Sequence, residues 1–462
     1  MNSTIKKHNK NIGVLKLALV VVLILILGLV FLYTWTTYYN PMLRFRYVLK
    51  GNIFMMLIYM TLIYIFMIVF DCNNLSAHKT GMLILSELLS TIACNIIVYL
   101  VVIIPAAAIG LLPFMPIIQQ TIIDFIVIVI WALFVSYILN KISPPKNILL
   151  ISNDSEMDEI ISKISKRRDL YKIGDKIVFN RNNINNIYGE CDKYEDVLIG
   201  DLSSEDRNDI IKHCFNNSIN VYVIPKLSDI LIKYSDDLFV FDAPIYYSSN
   251  FGLSLESSFF KRFIDIFFSL MILFVFLPLW IIIAILIKLE DGGPIFYFQE
   301  RVTIDFKRFN IIKFRSMKQC NDELVIPTID NDDRITKIGH FIRKYHIDEV
   351  PQFINVLIGD MSVVGPRPER IEHVNLYIKE IPEFAYRFKV KAGITGLAQI
   401  YGKYNTSAIN KLKLDLIYIK RYSFMFDLEL IFRTIKVLFI KDNTEGFELS
   451  KQEYITENAK NI

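Results

Sequence analysis

Cysteine is scarce in this sequence, and the few cysteines that occur are widely spaced. The 462 residues include five, at positions Cys72, Cys94, Cys191, Cys214 and Cys320. No two of them have the short spacing that is typical of zinc sites or redox-active dithiols. We therefore expect reduced thiols with a structural role, and the sequence argues against a disulfide-stabilised or zinc-binding protein.

The sequence also lacks a concentration of charge of one sign. Lys and Arg number 51 against 47 Asp and Glu, and the net charge of +4 is spread along the chain. Because nucleic-acid-binding proteins gather basic residues into an arm or a stripe, this distribution argues against a nucleic-acid partner. The histidines His340, His346 and His373 do not have the spacing of a metal site.

Long apolar stretches dominate the first third of the chain. Hydrophobic residues make up 53% of the sequence, which indicates that part of the protein lies in lipid. The first stretch is too long for a signal peptide and has no small-residue cleavage site after it. The sequence predicts an α-helical membrane bundle over residues 1–145, with four transmembrane helices at approximately Ile12–Trp35, Ile53–Phe70, Met82–Leu112 and Ile122–Leu139.

The basic residues beside these spans bear on their orientation. Lysines before the first span, together with Lys141 and Lys146 after the fourth, favour both ends in the cytoplasm, whereas Arg44, Arg46 and Lys50 favour the opposite orientation. We expect both ends inside, because an even number of spans then leaves the rest of the chain beside the cellular nucleotide pool.

Two acidic residues, Glu87 and Asp124, fall within or near these spans. An ionisable side chain inside a membrane often serves a function. The alternative is that each lies close enough to a helix end to reach the interface, and this is the position that we expect.

Residues 146–250 have a different pattern, in which short runs rich in Ile and Val alternate with polar stretches of helical character. Such alternation predicts a small parallel α/β domain. The stretch Ile151–Glu156 after the first run contains no glycine, which argues against dinucleotide binding and hence against an oxidoreductase. A spacer, dimerisation or regulatory role is more in keeping with it. The predicted strands are Lys146–Ser152, Lys176–Asn180, Asp196–Ile199 and Ile219–Ile224.

A fifth apolar run, Phe263–Leu289, follows Lys261 and Arg262 and is interrupted by Pro278. Proline removes a backbone donor and kinks a helix. A full crossing would carry all later motifs to the opposite side of the membrane. We therefore expect a re-entrant helix at about 261–290 that enters, bends at Pro278 and leaves on the same face.

An adjacent acidic pair, Asp348-Glu349, lies at the head of the stretch Tyr345–Glu369, which also contains Gly365-Pro366-Arg367-Pro368. Adjacent carboxylates repel unless they are solvated or neutralised by a cation, and a hard divalent ion such as Mg²⁺ prefers oxygen ligands. The pair suggests phosphate chemistry with Asp348 and Glu349 as metal ligands. An isolated acidic pair is commonly a solvated helix start.

Six further blocks lie in order around this stretch, over roughly 140 residues. They are Lys261-Arg262 with Asp265, Gly293–Phe296, Gln299–Val302, Lys313–Met317, Asp333–Thr336 and Gly393–Gln399. Together, the seven blocks resemble the bacterial sugar transferases, the polyprenyl-phosphate hexose-1-phosphate transferases that are also called monotopic phosphoglycosyl transferases.

The resemblance implies a fold and a location. Residues 256–462 are expected to form a mostly α (α+β) phosphoglycosyl transferase domain with the re-entrant membrane helix. Residues 146–250 resemble the degenerate Rossmann-like insert of larger family members, some of which are dimers, so a homodimer is a further expectation. The family implies a multi-pass protein of the bacterial inner (cytoplasmic) membrane, with the catalytic domain on the cytoplasmic face.

The resemblance also implies a reaction. A sugar 1-phosphate passes from a UDP-sugar to undecaprenyl (polyprenyl) phosphate, giving polyprenyl-diphosphate-sugar and UMP, with Mg²⁺ as cofactor, as the first membrane step of surface polysaccharide biosynthesis. Asp348 corresponds to the nucleophile that forms a covalent phospho-sugar intermediate. Glu349 would bind metal or orient the acceptor. The alternative is a non-catalytic membrane scaffold or regulator of glycan assembly, and no short motif identifies the sugar.

Arginines in or beside the blocks are the candidates for phosphate recognition, because a guanidinium donates two parallel hydrogen bonds to an oxyanion. Each could instead pair with a structural carboxylate. The predicted substrate-binding residues are Arg301, Arg315, Arg334, Arg343, Gln352, Pro366 and Arg367. Lys261 and Arg262 are expected to extend to lipid headgroups beside the helix that contains Pro278.

The chain departs from the family pattern at four loop or helix positions. Thr303 and Phe306 replace glycines, Ala392 replaces a proline, and Leu277 replaces the serine before Pro278. Since the acidic pair is intact, these departures bear on loop geometry and donor choice more than on the reaction.

Overall fold

The computed structural model forms two compact units, Met1–Lys226 and Leu227–Ile462. The structure describes residues 2–43, 45–75, 79–103, 113–142, 144–165, 167–240, 242–248, 252–317, 334–402 and 406–438.

The first unit begins with long apolar helices, as predicted. These are α1 (Asn2–Thr34), α2 (Leu49–Val69), α3 (Thr80–Ile97) and α4 (Met115–Ile142). One further turn extends α1 to Tyr39 and another extends α3 to Ile103. The predicted third span ends in residues 104–112, which lie outside the described residues. All four helices are long and apolar enough to cross a membrane.

The bundle has a polar centre. Helix α1 packs against α2 and α4, and α3 packs against the same two helices. Between them, Asn95 bonds to Tyr59 and Asp124, and the rings of Phe31 and Tyr59 stack with centroids 4.4 Å apart. Glu87 and Asp124 are fully buried. The interfacial position expected for these two carboxyls is therefore wrong, because both face neighbouring helices.

A four-stranded parallel sheet follows, which confirms the predicted α/β character. Its strand order is β2-β1-β3-β4, and Leu149 of the central strand aligns with Val197. Leu149, Ile151, Val197 and Ile210 lie in its core. The elements are β1 (Lys146–Ser152), α5 (Asp154–Ser165), β2 (Tyr171–Val178), α6 (Ile184–Cys191), β3 (Asp196–Ile199), α7 (Ser204–Asn216) and β4 (Asn220–Val223).

The second unit opens with a short helix, an antiparallel hairpin and a long helix. These are α8 (Leu227–Lys233), β5 (Asp236–Val240), β6 (Ala243–Tyr247) and α9 (Leu255–Asp291). Residues 227–250, assigned from the sequence to the central domain, thus lie in the second unit. The side chain of Ser254 caps the start of α9, and Gly292 ends it in the left-handed conformation that glycine adopts without strain.

Helix α9 is long and apolar enough to cross a membrane and continues through Pro278. Its two ends both contact the second unit. Near the start, Asp265 accepts hydrogen bonds from Ser362 and Val363, and near the end, Ile283 and Ile287 pack against Phe314. The helix is therefore attached to one folded unit at both ends.

The rest of the unit consists of small sheets and short helices. Strands β7 and β8 form an antiparallel pair, and β9 and β10 a parallel pair. The elements are β7 (Phe296–Val302), β8 (Arg308–Phe314), α10 (Lys337–Lys344), α11 (Gln352–Ile358), β9 (Ser362–Val364), α12 (Ile371–Glu380), β10 (Gly393–Thr395), α13 (Leu397–Tyr401), α14 (Ala408–Arg421) and α15 (Phe424–Val437).

Candidate active site

The acidic pair lies on a tight turn between α10 and α11. His346 ends the first helix with a left-handed φ of 53°, and a single 3₁₀ turn, Ile347–Glu349, follows. Pro351 then begins α11. Because the turn separates two helices, both carboxylates lie on a short rigid connection rather than on a flexible loop.

Glu349 is held by two cationic side chains. Its Oε1 accepts from Lys313 Nζ at 2.7 Å and from Arg367 Nη2 at 2.9 Å. Lys313 lies on β8 and Arg367 lies in the loop between β9 and α12. Although burial opposes ionisation, the charges and hydrogen bonds of Arg367 and Lys313 hold the pKa of Glu349 well below its usual range. Glu349 is therefore an anion.

Asp348 has a different environment. Among the residues that the structure describes, none donates a hydrogen bond to its carboxylate. Burial, followed by the charge of Glu349, raises the pKa of Asp348, while Lys313, Arg343 and His346 oppose this shift. The two carboxylates of the pair thus differ, because Glu349 is bound by two cationic side chains and Asp348 by no hydrogen-bond donor among the described residues.

The oxygens of the pair fit a hard divalent cation in part. Both oxygens of Asp348 remain available, whereas Glu349 already accepts two bonds at Oε1. In the described parts of the chain, no group of three or more His, Cys, Asp and Glu side chains is placed to hold a metal ion. This donor set suits Mg²⁺, which is commonly bound through one or two carboxylates together with substrate phosphates and water.

The loop that carries Arg367 is fixed from both sides. Gly365 N–H donates to Thr395 O at 2.8 Å, and Gly393 N–H donates to Pro366 O at 2.9 Å. A Cβ on Gly365 would lie 2.4 Å from Lys391 O, so the close approach of the two strands requires glycine here. The loop is consequently anchored by main-chain bonds next to the side chain of Arg367.

A buried arginine supports the same loop from behind. Arg387 Nη2 donates to Arg367 O at 2.9 Å and lies 3.0 Å from Asp415 Oδ2, with Glu369 at 3.7 Å from its Nη1. Burial raises the pKa of Asp415 to about 6, although Arg387 opposes the shift. This cluster positions the backbone of Arg367 and leaves its guanidinium half exposed.

Arg301 also lies at this loop. It donates to Pro368 O at 3.2 Å and to Gln299 Oε1 at 2.6 Å. Burial, and then the nearby Arg367 guanidinium, lowers the pKa of Arg301 to about 10. Two cationic groups held this close favour a ligand with more than one negative charge.

The other predicted residues have varied positions. Arg315 pairs with Asp291 at the end of α9 and packs against Gly293, so it closes that helix end. Arg343 lies in the last turn of α10, near enough to affect the charge of Asp348. Gln352 is buried at the start of α11. Arg334 follows directly after residues 318–333, which include Asp333 and lie outside the described residues.

The headgroup contact predicted for Lys261 and Arg262 is wrong, because both side chains bind other parts of the protein. Lys261 is buried and donates to Val364 O, Tyr418 OH and Asp427 Oδ2 at 2.8, 2.9 and 2.8 Å. Arg262 donates to the carbonyls of Val356 and Leu357 at the end of α11. Both side chains therefore fasten the membrane helix to the elements around the acidic pair.

Two departures from the family pattern, Thr303 and Ala392, are in contact. The hydroxyl of Thr303 donates to Asp360 O at 2.9 Å and accepts from Ala392 N–H at 3.0 Å, in a buried position. A glycine would have no hydroxyl at the first position, and a proline no N–H at the second. The two replacements thus compensate each other.

We expect Thr303→Gly and Ala392→Pro to be coupled. Thr303→Gly leaves the Ala392 N–H and the Asp360 carbonyl without the hydroxyl, and Ala392→Pro leaves the hydroxyl without its donor. A buried polar group left without its partner costs about 1–3 kcal/mol. The double variant should lose less free energy of unfolding than the sum of the single variants, by about 1 kcal/mol or more. Thr303→Ser, which keeps the hydroxyl, is the control, and purely additive losses would contradict the coupling.

Sequence reasoning missed several residues of this site. Lys313 was noted only as part of a block, and Arg387, Asp415 and Asp427 were not singled out. The proximity of Lys313 to Glu349 depends on the pairing of β8 with β7 and on the packing of α11 against β8. No local sequence signal reveals it.

These features define a membrane-anchored protein whose polar unit holds an acidic pair against an arginine-bearing loop. The family model for the bacterial sugar transferase matches residues 256–441. The chain belongs to the bacterial sugar transferase family.

Named relatives are similar over different shares of their length. A UDP-glucose:undecaprenyl-phosphate glucose-1-phosphate transferase of Klebsiella pneumoniae is 42% identical over 202 residues, which are 42% of each chain. A UDP-N-acetylgalactosamine-undecaprenyl-phosphate N-acetylgalactosaminephosphotransferase of Aeromonas hydrophila is 37% identical, over 53% of this chain and 59% of the relative. The exopolysaccharide production protein PSS of Rhizobium leguminosarum bv. phaseoli is 40% identical, over 38% of this chain and 92% of the relative. The chain thus spans about two fifths of the length of the first of these.

Proposed function

We propose that this protein transfers a sugar 1-phosphate from a UDP-sugar to polyprenyl phosphate, giving polyprenyl-diphosphate-sugar and UMP. The observation that carries the proposal is the contrast within the acidic pair, in which Glu349 is neutralised by Lys313 and Arg367 while Asp348 accepts no hydrogen bond from the described residues. The printed names of the relatives, which specify glucose in one case and N-acetylgalactosamine in another, support the substrate classes.

In the first step, an Asp348 oxygen attacks the β-phosphorus of the UDP-sugar. The new bond joins that oxygen to phosphorus, and the bond between the β-phosphorus and the bridging oxygen breaks, so UMP leaves with the electron pair. The product is an acyl phosphate that carries the sugar, and it divides one difficult displacement into two easier ones. Arg367 and Arg301 are placed to bind the negative charge of the diphosphate.

In the second step, an oxygen of polyprenyl phosphate attacks the same phosphorus. The acyl phosphate bond breaks and Asp348 is restored as a carboxylate, so no proton or redox partner is needed. Glu349, held by its two cations, fixes the position of Arg367 relative to Asp348. Mg²⁺ bound by Asp348, with Glu349 as a second candidate ligand, would neutralise diphosphate charge.

The lipid acceptor requires a site beside the membrane, and helix α9 supplies one. Its first half packs against the polar unit at Phe268, Ile272 and Leu273, and its second half packs against the same unit at Trp280, Ile283 and Ile287. Attachment of both ends to one polar unit supports a re-entrant path, with the catalytic unit on the cytoplasmic face of the inner membrane.

A single-turnover experiment without lipid tests the proposal. The detergent-solubilised full chain is incubated with Mg²⁺ and each of a panel of UDP-sugars labelled in the sugar. We expect one donor to release UMP and leave label on the protein, and added polyprenyl phosphate to move that label into lipid. Lipid product without any protein-bound label would overturn the covalent step, and neither product with any donor would overturn the transfer function.

We expect the pH dependence of label formation to report on Asp348. Only the ionised carboxylate attacks, so the rate falls as the pH falls through the raised pKa of Asp348. Glu349→Gln removes a negative charge and releases Lys313 and Arg367 from their partner, and both effects lower the pKa of Asp348. The acidic limb of the single-turnover rate should therefore move to lower pH, even though the plateau falls.

The single-turnover rate of label formation is measured against pH with enzyme in excess. The rates of each variant are normalised to the maximum rate of that variant at high pH. Glu380→Gln, at an exposed position on α12, is the matched control and should keep the wild-type profile. A limb that stays in place or moves to higher pH in Glu349→Gln would contradict this electrostatic account.

A further inference from the structure

A second polar site lies in the N-terminal bundle, remote in sequence from the acidic pair. Its centre is Asp124 on α4, which is 0% exposed. The residue lies nine positions inside the helix, or about 14 Å along its axis, too far for the short aspartate side chain to reach the interface. The proposed transfer reaction does not use it.

The carboxylate of Asp124 has too few donors. It accepts a hydrogen bond at Oδ2 from Asn95 Nδ2 at 3.2 Å and has the side-chain amide of Gln120 as a second neutral donor, while its Oδ1 is buried without a partner among the described residues. No salt bridge to it is present in the part of the chain that the structure describes. Neutral amide donors alone do not compensate the loss of hydration of a carboxylate in an apolar bundle.

One turn away on the same helix, Gln120 presents a second oxygen without a donor. Gln120 is buried, and its Nε2 donates to Tyr59 OH at 3.3 Å and to Asn95 Oδ1 at 3.2 Å. Because Asn95 Oδ1 is an acceptor, the amide nitrogen faces it and Oε1 points away, where it has no partner among the described residues. Two buried oxygens, four residues apart on one helix face, thus lack donors.

Among the described residues, the groups around the two oxygens add no positive charge. Tyr59 lies on α2, and Asn95 and Cys94 lie on α3, all of them neutral in their usual forms. Glu87, a buried carboxyl on α3, precedes Asn95 by eight residues and lies about 12 Å away along that helix. On α1, Leu19 O contacts α4 through Trp131 rather than through a charged group.

We propose that the Asp124–Gln120 site binds a monovalent cation. The cation is either a proton or an alkali ion, and it supplies the missing positive charge at the two oxygens. A proton on Asp124 Oδ1 converts that oxygen into a donor, whereas an alkali ion is ligated by carboxylate and amide oxygens together. The charge of Asp124 is then compensated.

Thermal unfolding of the full chain in detergent tests the site. The unfolding temperature is measured against NaCl, with choline chloride keeping the ionic strength constant, and against pH in choline chloride alone. We expect wild type to gain about 5 °C with added sodium or with lower pH. Asp124→Asn should lose that gain, while Asp158→Asn, an exposed position on α5, should keep it.

Labelling of the wild type provides a readout that does not depend on a variant. Dicyclohexylcarbodiimide reacts with protonated carboxyls in apolar surroundings, and peptide mass spectrometry locates the adduct. Labelling at Asp124 identifies the proton, and an unfolding temperature that rises with sodium identifies the alkali ion. A wild type with no cation response and no label at Asp124, or a response that Asp124→Asn retains, would overturn the proposal.

Discussion

Asp348→Asn is expected to abolish label retention on the protein and to lower transfer by about 10⁴-fold or more. The amide keeps the size of the side chain but is too weak a nucleophile to form the acyl phosphate. The measurement is the lipid-free single-turnover reaction, read as protein-bound sugar and released UMP.

The same substitution should leave the fold intact. Burial and Glu349 raise the pKa of Asp348 in the folded protein, so its charged form costs folding free energy that a neutral amide avoids. We expect an unfolding temperature at or above that of wild type, which separates lost chemistry from lost structure. Asp236→Asn, at an exposed position in β5, is the matched control and should label normally. Wild-type labelling of Asp348→Asn would assign the nucleophile elsewhere.

Lys261→Met is expected to cause a large loss of stability in the second unit. The ammonium is 6% exposed and its partner Asp427 only 1%, so removal of the lysine leaves a buried carboxylate without its cation. Breaking such a pair costs about 3–5 kcal/mol. Tyr418, which also bonds to Asp427, retains only a neutral contact.

Thermal unfolding in detergent is the measurement for this variant. Lys288→Met removes an exposed lysine from the same helix and should have little effect. Lys261→Met combined with Asp427→Leu removes both charges and should recover a large part of the loss, since the uncompensated carboxylate disappears. Equal unfolding temperatures for Lys261→Met and Lys288→Met would show that the buried pair contributes little.

The sequence was most informative where the pattern is local. Alternating Ile- and Val-rich runs predicted the parallel sheet, and the run Lys146–Ser152 coincides with β1. Apolar stretches predicted the helices of the bundle because hydrophobic length is a property of the chain alone. The seven blocks likewise indicated the family before any contact was known.

Contacts between distant segments could not be predicted in this way. The lysine at position 261 precedes an apolar run, which by itself favours a headgroup contact, yet its partner lies 166 residues later in the chain. Asp124 lies near the start of the predicted span Ile122–Leu139, but in the folded bundle its side chain bonds to Asn95. The substitutions at 303 and 392 read as separate loop changes, and only the fold shows that they share a hydrogen bond.

The bond from Lys261 to the carbonyl of Val364 has a mechanical consequence. Val364 directly precedes Gly365, so a rotation or tilt of the membrane helix pulls on the strand that ends in the arginine loop. Helices in lipid adjust their tilt to the thickness of the bilayer. The hydrogen bond thus links the position of the helix to the strand that precedes Arg367.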